Sequence, residues 1–196
     1  MNHTVPAETR LDWRPFALLL IDVQRDFYPE ETRQAFPDFE KNVTTLLGFC
    51  RTVGIDIIHI RSLFAPDKSD WMATYRVKGT IPCIRGTSGA ETLACAKAQP
   101  HEPVMIKQTF DAFYIPDLFT HLQQTNKRFI LTAGLVTSVC VLLTTASAVQ
   151  RGFLATLVED CCADTPDAHT ATLDRYPFIF KRITLDTLAK GRIEMR

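Results

Sequence analysis

The run "FALLLI" at residues 16–21 places six apolar residues together with no polar one among them. A strand of that kind has no face to offer water, so both of its faces must be covered. Sheets covered on both faces are built from parallel strands joined by crossover helices. Five more short runs fit the same role: "IDIIHI" (55–60), "PVMIK" (103–107), "RFILTA" (128–133), "FLATLVED" (153–160) and "FIFKRIT" (178–184). Helical segments alternate with them. The first, over 38–54, carries Phe39, Val43, Leu46, Leu47 and Cys50 at helical spacing, with Asp38 as its N-cap and Gly54 as its stop. Others are expected over 115–126, with Pro116 in the first turn, over 138–152, ended by Gly152, and over 165–176. The pattern predicts an α/β fold: a mostly parallel six-stranded sheet with helices on both faces.

A chain of 196 residues with 46% hydrophobic residues suits a single domain with a substantial core. Lys plus Arg and Asp plus Glu balance at 22 each and form no blocks, which argues against nucleic acid or an anionic membrane surface as partner. No apolar run approaches the roughly 20 residues of a membrane span. Residues 1–14, "MNHTVPAETRLDWR", read as a polar arm without the apolar core of a secretory signal. The six cysteines, Cys50, Cys83, Cys95, Cys140, Cys161 and Cys162, contain no C-x-x-C pair. A zinc site of that type is therefore not expected, and reduced thiols in the cytoplasm are. The adjacent Cys161 and Cys162 read as small residues at a strand end. The stretch 61–102 shows no period, and a loop of that length in a small domain is expected to have a function, here as a substrate lid.

In open α/β sheets, ligands bind beyond the carboxyl ends of the strands. The polar residues there are Asp22 after strand one, Lys107 at the end of strand three, and Cys140 where strand four passes into a helix. Singly, each has an ordinary role: capping a turn, facing solvent, or packing. If strands one, three and four are neighbours, the three can meet as a carboxylate, a cation and a thiol, the groups that nucleophilic catalysis requires. A helix N-terminus and a nearby cation are expected to favour the thiolate.

The stretches "LLLIDVQRDF", "PCIRGTSGAETL", "IKQTFDAF" and "TAGLVTSVCV" occur in this order over most of the chain. Together they resemble the isochorismatase-like cysteine hydrolases. The resemblance implies a Rossmann-like domain and a catalytic triad of Asp22, Lys107 and Cys140. It also implies a cis peptide between Leu135 and Val136, and an oxyanion hole from the backbone N–H groups of Val136 and Cys140. The implied reaction is cleavage of a C–N bond in a small amide, urea or carbamoyl compound through a thioester. A homo-oligomer, dimer or tetramer, is implied as well.

Gln24, Phe27, Trp71 and Phe113 are candidates for lining the substrate pocket, with packing as the ordinary alternative. Arg76 and Arg85, in the stretch 61–102, are candidates to meet an anionic substrate, with a place at the solvated surface as the ordinary and favoured alternative. The nicotinamidases of the family carry an Asp-x-His metal motif after the second strand. Here Asp56 and His59 lie inside that strand, three apart and so on opposite faces. No metal and no other cofactor is expected. The alternatives are hydrolysis of isochorismate to pyruvate and dihydroxydihydrobenzoate, a non-catalytic binding protein of the same fold, and a thiol redox protein.

Overall fold

The computed structural model of the protein describes residues 11–191. Six strands form one sheet: β1 (Phe16–Ile21), β2 (Asp56–Ser62), β3 (Val104–Lys107), β4 (Phe129–Leu135), β5 (Leu154–Ala163) and β6 (Lys181–Ile183). Their order is β3-β2-β1-β4-β5-β6 and every neighbouring pair is parallel. This is the doubly wound order, in which the chain works outward from β1 on one side and resumes at β4 on the other. The expected "mostly parallel" sheet is parallel throughout. Residues 1–10 of the expected polar arm lie outside the described residues. Its last part is not free: Trp13 is buried and its ring meets Phe16 and Phe49 edge-on.

All six residues of β1 are buried, as a strand covered on both faces must be. Burying a side chain such as Leu18, Leu19 or Ile21 contributes about 1.5–3 kcal/mol each. Helix α1 (Glu30–Ala35) is short. Helix α2 (Phe39–Val53) buries the face read from its spacing, Phe39, Val43, Leu46, Leu47 and Cys50, and stops at Gly54 in the left-handed region. The Asp38 side chain makes no capping bond, contrary to expectation; Asn42 instead ties the helix to β5 by donating to the Asp160 carbonyl. Helices α4 (Pro116–Gln124), α5 (Leu142–Gln150) and α6 (Pro166–Arg175) fall where periodicity put them. The segment over 61–102 is not a bare loop: it contains α3 (Ala73–Lys78) and two single 3₁₀ turns at Ser88–Ala90 and Ala94–Ala96. The short α7 (Leu185–Ala189), like α1 and α3, gave too few turns for a period to be read.

The closest approach in the sheet lies at the join of its two halves. Ile21 pairs with Gly134, beside a register shift in β4. Gly134 has φ 122°, and a Cβ there would run into the Ile21 carbonyl oxygen. Only glycine suits both the angle and the space. Gly48, on the exposed side of α2, is the opposite case: a Cβ there meets nothing. Gly134→Ala is expected to cost about 2–4 kcal/mol, whereas Gly48→Ala is expected to stabilise by about 0.5–1 kcal/mol. Urea unfolding midpoints at unchanged slope measure both.

Candidate active site

The site is assembled by four adjacent strands, each contributing at its carboxyl end. Lys107 ends β3, Ser62 ends β2, Asp22 follows β1, and Cys140 lies on the turn after β4. Strands one and three are not neighbours; β2 stands between them, and Ser62 is the register partner of Lys107. The lysine side chain is long enough to cross β2. Its Nζ lies 2.7 Å from Asp22 Oδ2 and donates to Ser62 Oγ at 2.8 Å, the Thr109 carbonyl at 2.9 Å and Cys140 Sγ at 3.4 Å. Asp22, Lys107 and Cys140 are 0%, 1% and 4% exposed, so these groups interact in a low-dielectric interior.

Asp22 has φ 51°, a left-handed conformation that Asp tolerates better than most residues, and its amide donates to the Ile60 carbonyl of β2. Neither of its carboxylate oxygens accepts a well-aligned hydrogen bond among the described residues; its contact with Lys107 is the ion pair alone. After β4, the Leu135–Val136 peptide is cis and the chain enters a π-helical turn, Thr137–Val141, before α5. Cys140 therefore sits in the fourth place of that turn. Asp164, just past β5, holds the turn's start by accepting from the amide and hydroxyl of Ser138, and His169 Nδ1 meets Thr137 Oγ1 at 2.8 Å.

The expected bias toward thiolate does not hold. Burial pushes the Cys140 thiol well above the usual thiol range, and the Asp22 charge adds to this, while Lys107 only partly offsets them. The balance favours the thiol form. For Lys107, burial alone would lower the pKa, but Asp22 and Cys140 raise it beyond the usual lysine value, so it stays charged.

A cavity of about 220 Å³ opens over this cluster, lined by Phe27, Ser62, Lys107, Val136, Val139 and Cys140 together with residues of the 61–102 segment and the turn after β3. Phe27 faces it as expected. Gln24 does not: its amide donates to the carbonyls of Ser62 and Ala90 and accepts from the Ser62 amide. It binds the turn after β1 to the end of β2. Trp71 is buried in a separate apolar cluster with Phe64, Ile81 and Cys83, and its indole donates to the Ala65 carbonyl. Phe113 belongs to the main core, 6.1 Å from the Phe153 ring. Three of the four pocket candidates are thus corrected to packing or positioning. Sequence reasoning missed Ser62, which the carboxyl-end rule would have found. It also missed Phe64, Met72, Tyr75 and Phe110, which no periodicity marks.

The stretch "PCIRGTSGAETL" acts as a brace. Leu93 donates to the Val23 carbonyl, Arg25 to that of Glu91, and Asp26 accepts from the Cys83 amide. These bonds fix the turn that carries Asp22.

Asp56 and His59 do not form a metal site. Asp56 is exposed and pairs with Lys127; His59 is buried against Glu102 at 2.9 Å. Among the described residues no three His, Cys, Asp or Glu side chains gather where a metal ion could be held. Likewise no described helix is long and apolar enough to cross a membrane. All six cysteines are free, and Cys161 and Cys162 are buried on β5.

The chain belongs to the isochorismatase family, whose domain model matches residues 16–184. An uncharacterized isochorismatase family protein of Bacillus subtilis strain 168 is 28% identical over 154 residues, 76% of this chain and 78% of that one. An Arabidopsis thaliana protein named "Probable inactive nicotinamidase" is 28% identical over 171 residues, 82% of this chain and 87% of that one. The maleamate amidohydrolase of Pseudomonas putida is 26% identical over 169 residues, 80% of this chain and 76% of that one. In fold, the crystal structure of an isochorismatase family protein from Desulfovibrio vulgaris subsp. vulgaris str. Hildenborough matches with a TM-score of 0.82 at 24% identity, covering 91% of this chain and 98% of that one.

The Glu102 cluster carries a prediction of its own. Glu102 is desolvated, yet hydrogen bonds from Arg51, the Gln99 amide and His59 hold its pKa at about 2. A depressed carboxylate contributes stability that is fully present above the unfolded pKa and is lost as pH falls through the folded one. Between pH of about 5 and about 2 the wild type should lose on the order of 2 kcal/mol more than Glu102→Gln. Unfolding free energies of both proteins against pH test this.

Proposed function

We propose that the protein is a cysteine-dependent hydrolase that cleaves the C–N bond of a small amide, urea or carbamoyl compound. The carrying observation is the meeting of Asp22, Lys107 and Cys140 beneath one cavity, which Lys107, Cys140 and Val136 line. The maleamate amidohydrolase among the relatives acts on such a bond by its name. A relative named inactive makes turnover the point to be measured.

The chemistry follows from the charges. Because the thiol form is favoured, its proton must leave as the C–S bond forms. Asp22 has oxygens free of other hydrogen bonds and is the acceptor at hand. As Sγ attacks the substrate carbonyl, the oxygen of the tetrahedral intermediate is stabilised by the Val136 and Cys140 N–H groups, which act as the oxyanion hole. Asp22 then returns the proton to the leaving nitrogen, and the C–N bond breaks to leave an acyl-cysteine. A water that gives its proton to Asp22 attacks that carbonyl. The acid leaves, and the sulfur recovers the proton. Lys107 remains charged throughout and neutralises whichever of its two neighbours, carboxylate or sulfur, is negative. Gln24 and Ser62 act through position: one holds the Asp22 turn, the other holds Lys107.

Isochorismate hydrolysis, the alternative reading, breaks a vinyl ether and requires no thiol nucleophile. A thiol placed against a carboxylate and a cation favours the amide reaction. On a panel of small amides and ureas, Cys140→Ala and Asp22→Asn are each expected to reduce ammonia release roughly 10³-fold or more. Far-UV circular dichroism should remain native for Cys140→Ala, whereas Asp22→Asn, which leaves Lys107 buried without its counter-charge, should also unfold at lower urea. Ammonia release by Cys140→Ala at the wild-type rate would overturn the covalent route, and pyruvate release from isochorismate would favour the alternative. Since carbonyl polarisation here falls to backbone N–H groups, EDTA is expected to leave the rate unchanged. Loss of activity on chelation, restored by one added divalent ion, would contradict that.

A further inference from the structure

We infer that the acyl pocket is built for uncharged, apolar acyl groups and rejects substrates bearing a second carboxylate; this rests on the hydrolase reading above. The walls of the cavity are Phe27, Phe64, Met72, Tyr75, Phe110 and Val139; apart from the Tyr75 hydroxyl, the polar side chains lie at the floor. Tyr75 packs its ring against Phe64 and Phe110, so the wall is continuous.

The polar floor is already committed. A lysine ammonium has three N–H donors. Those of Lys107 go to Ser62 Oγ, the Thr109 carbonyl and Cys140 Sγ, and Asp22 is already its counter-charge, leaving none for a substrate anion. The Thr109 hydroxyl donates to the Asp111 carbonyl. The arginines that could have supplied a counter-charge are elsewhere. Arg76 donates to the carbonyls of Ser69 and Trp71, and Arg85 is exposed. Arg25 pairs with Glu91 at the surface. Arg61 precedes Ser62 on β2 and so takes the other face of the sheet. A substrate carboxylate would thus be desolvated without a cationic partner, with the neutral Tyr75 hydroxyl as its one donor on the wall and within the field of the Asp22 carboxylate. A branched alkyl or aromatic group would instead gain contact on every side. At about 30 Å³ per water-sized group, about 220 Å³ holds on the order of seven such groups, which limits the acyl part to a small one.

The test uses two amides of equal size, isocaproamide and succinamate, in which an isopropyl end is exchanged for a carboxylate of the same shape. Ammonia release by the wild type gives kcat/KM for each, and calorimetric titration of Cys140→Ala gives Kd without turnover. A preference for isocaproamide of roughly 100-fold in kcat/KM, and at least about tenfold in Kd, is expected from the cost of burying an unpaired charge. Met72→Arg, which brings a cation to the wall, should narrow both ratios. Equal or better hydrolysis of succinamate by the wild type overturns the pocket inference and leaves the hydrolase intact. Selective binding of isocaproamide to Cys140→Ala without turnover of either amide by the wild type supports the pocket and overturns the hydrolase reading. Failure of both amides to bind Cys140→Ala overturns the pocket inference.

Discussion

Lys107 and Asp22 face each other at 2.7 Å with almost no access to water. Taking two charges out of water costs several kcal/mol per ion unless the geometry and the remaining hydrogen bonds compensate. Much of the architecture around the pair supplies that compensation. The order β3-β2-β1-β4 sets the two residues two strands apart, a span that a lysine side chain can cross. Ser62, the Thr109 carbonyl and Cys140 Sγ accept the three ammonium donors, leaving Asp22 as the counter-charge. Gln24 and the brace over residues 82–93 hold the turn at Asp22 in place. Removing one partner would leave the other buried and unpaired, so the pair is a constraint on the fold as well as a feature of the site.

The elements legible in sequence were those whose burial is periodic or complete. The unbroken apolar run of β1 and the single stripe of α2 are direct records of what covers them. Asp22, Lys107 and Cys140 were legible for a different reason: a polar residue at the end of a buried strand has few places to go. Ser62 obeyed the same rule but was overlooked, because a serine beside a lysine attracts no attention until the strand order is known. Phe64, Met72 and Tyr75 were illegible because they come from a segment of short turns, where the chain follows the cavity and not a repeat. Trp71 shows the converse, a large aromatic whose position suggested a ligand and whose partners are Phe64, Ile81 and Cys83.

The expectation of a thiolate failed on magnitude. A helix terminus acts with a fraction of a charge, and its influence is confined to about one turn. Burial of the thiol, reinforced by a full negative charge at Asp22, outweighs that influence together with Lys107. The sign of the net effect could not be read from residue types alone, since burial is its largest contribution. The depth of the cluster below the surface decides it.

That depth bears on survival in an oxidising environment. Peroxide attacks thiolates, and the damage runs from sulfenic to irreversible sulfinic and sulfonic acids. A sulfur biased toward the thiol form and 4% exposed, beneath a cavity with largely apolar walls, offers little to such an oxidant. The same burial that disfavours ionisation of the sulfur also shields it from oxidation.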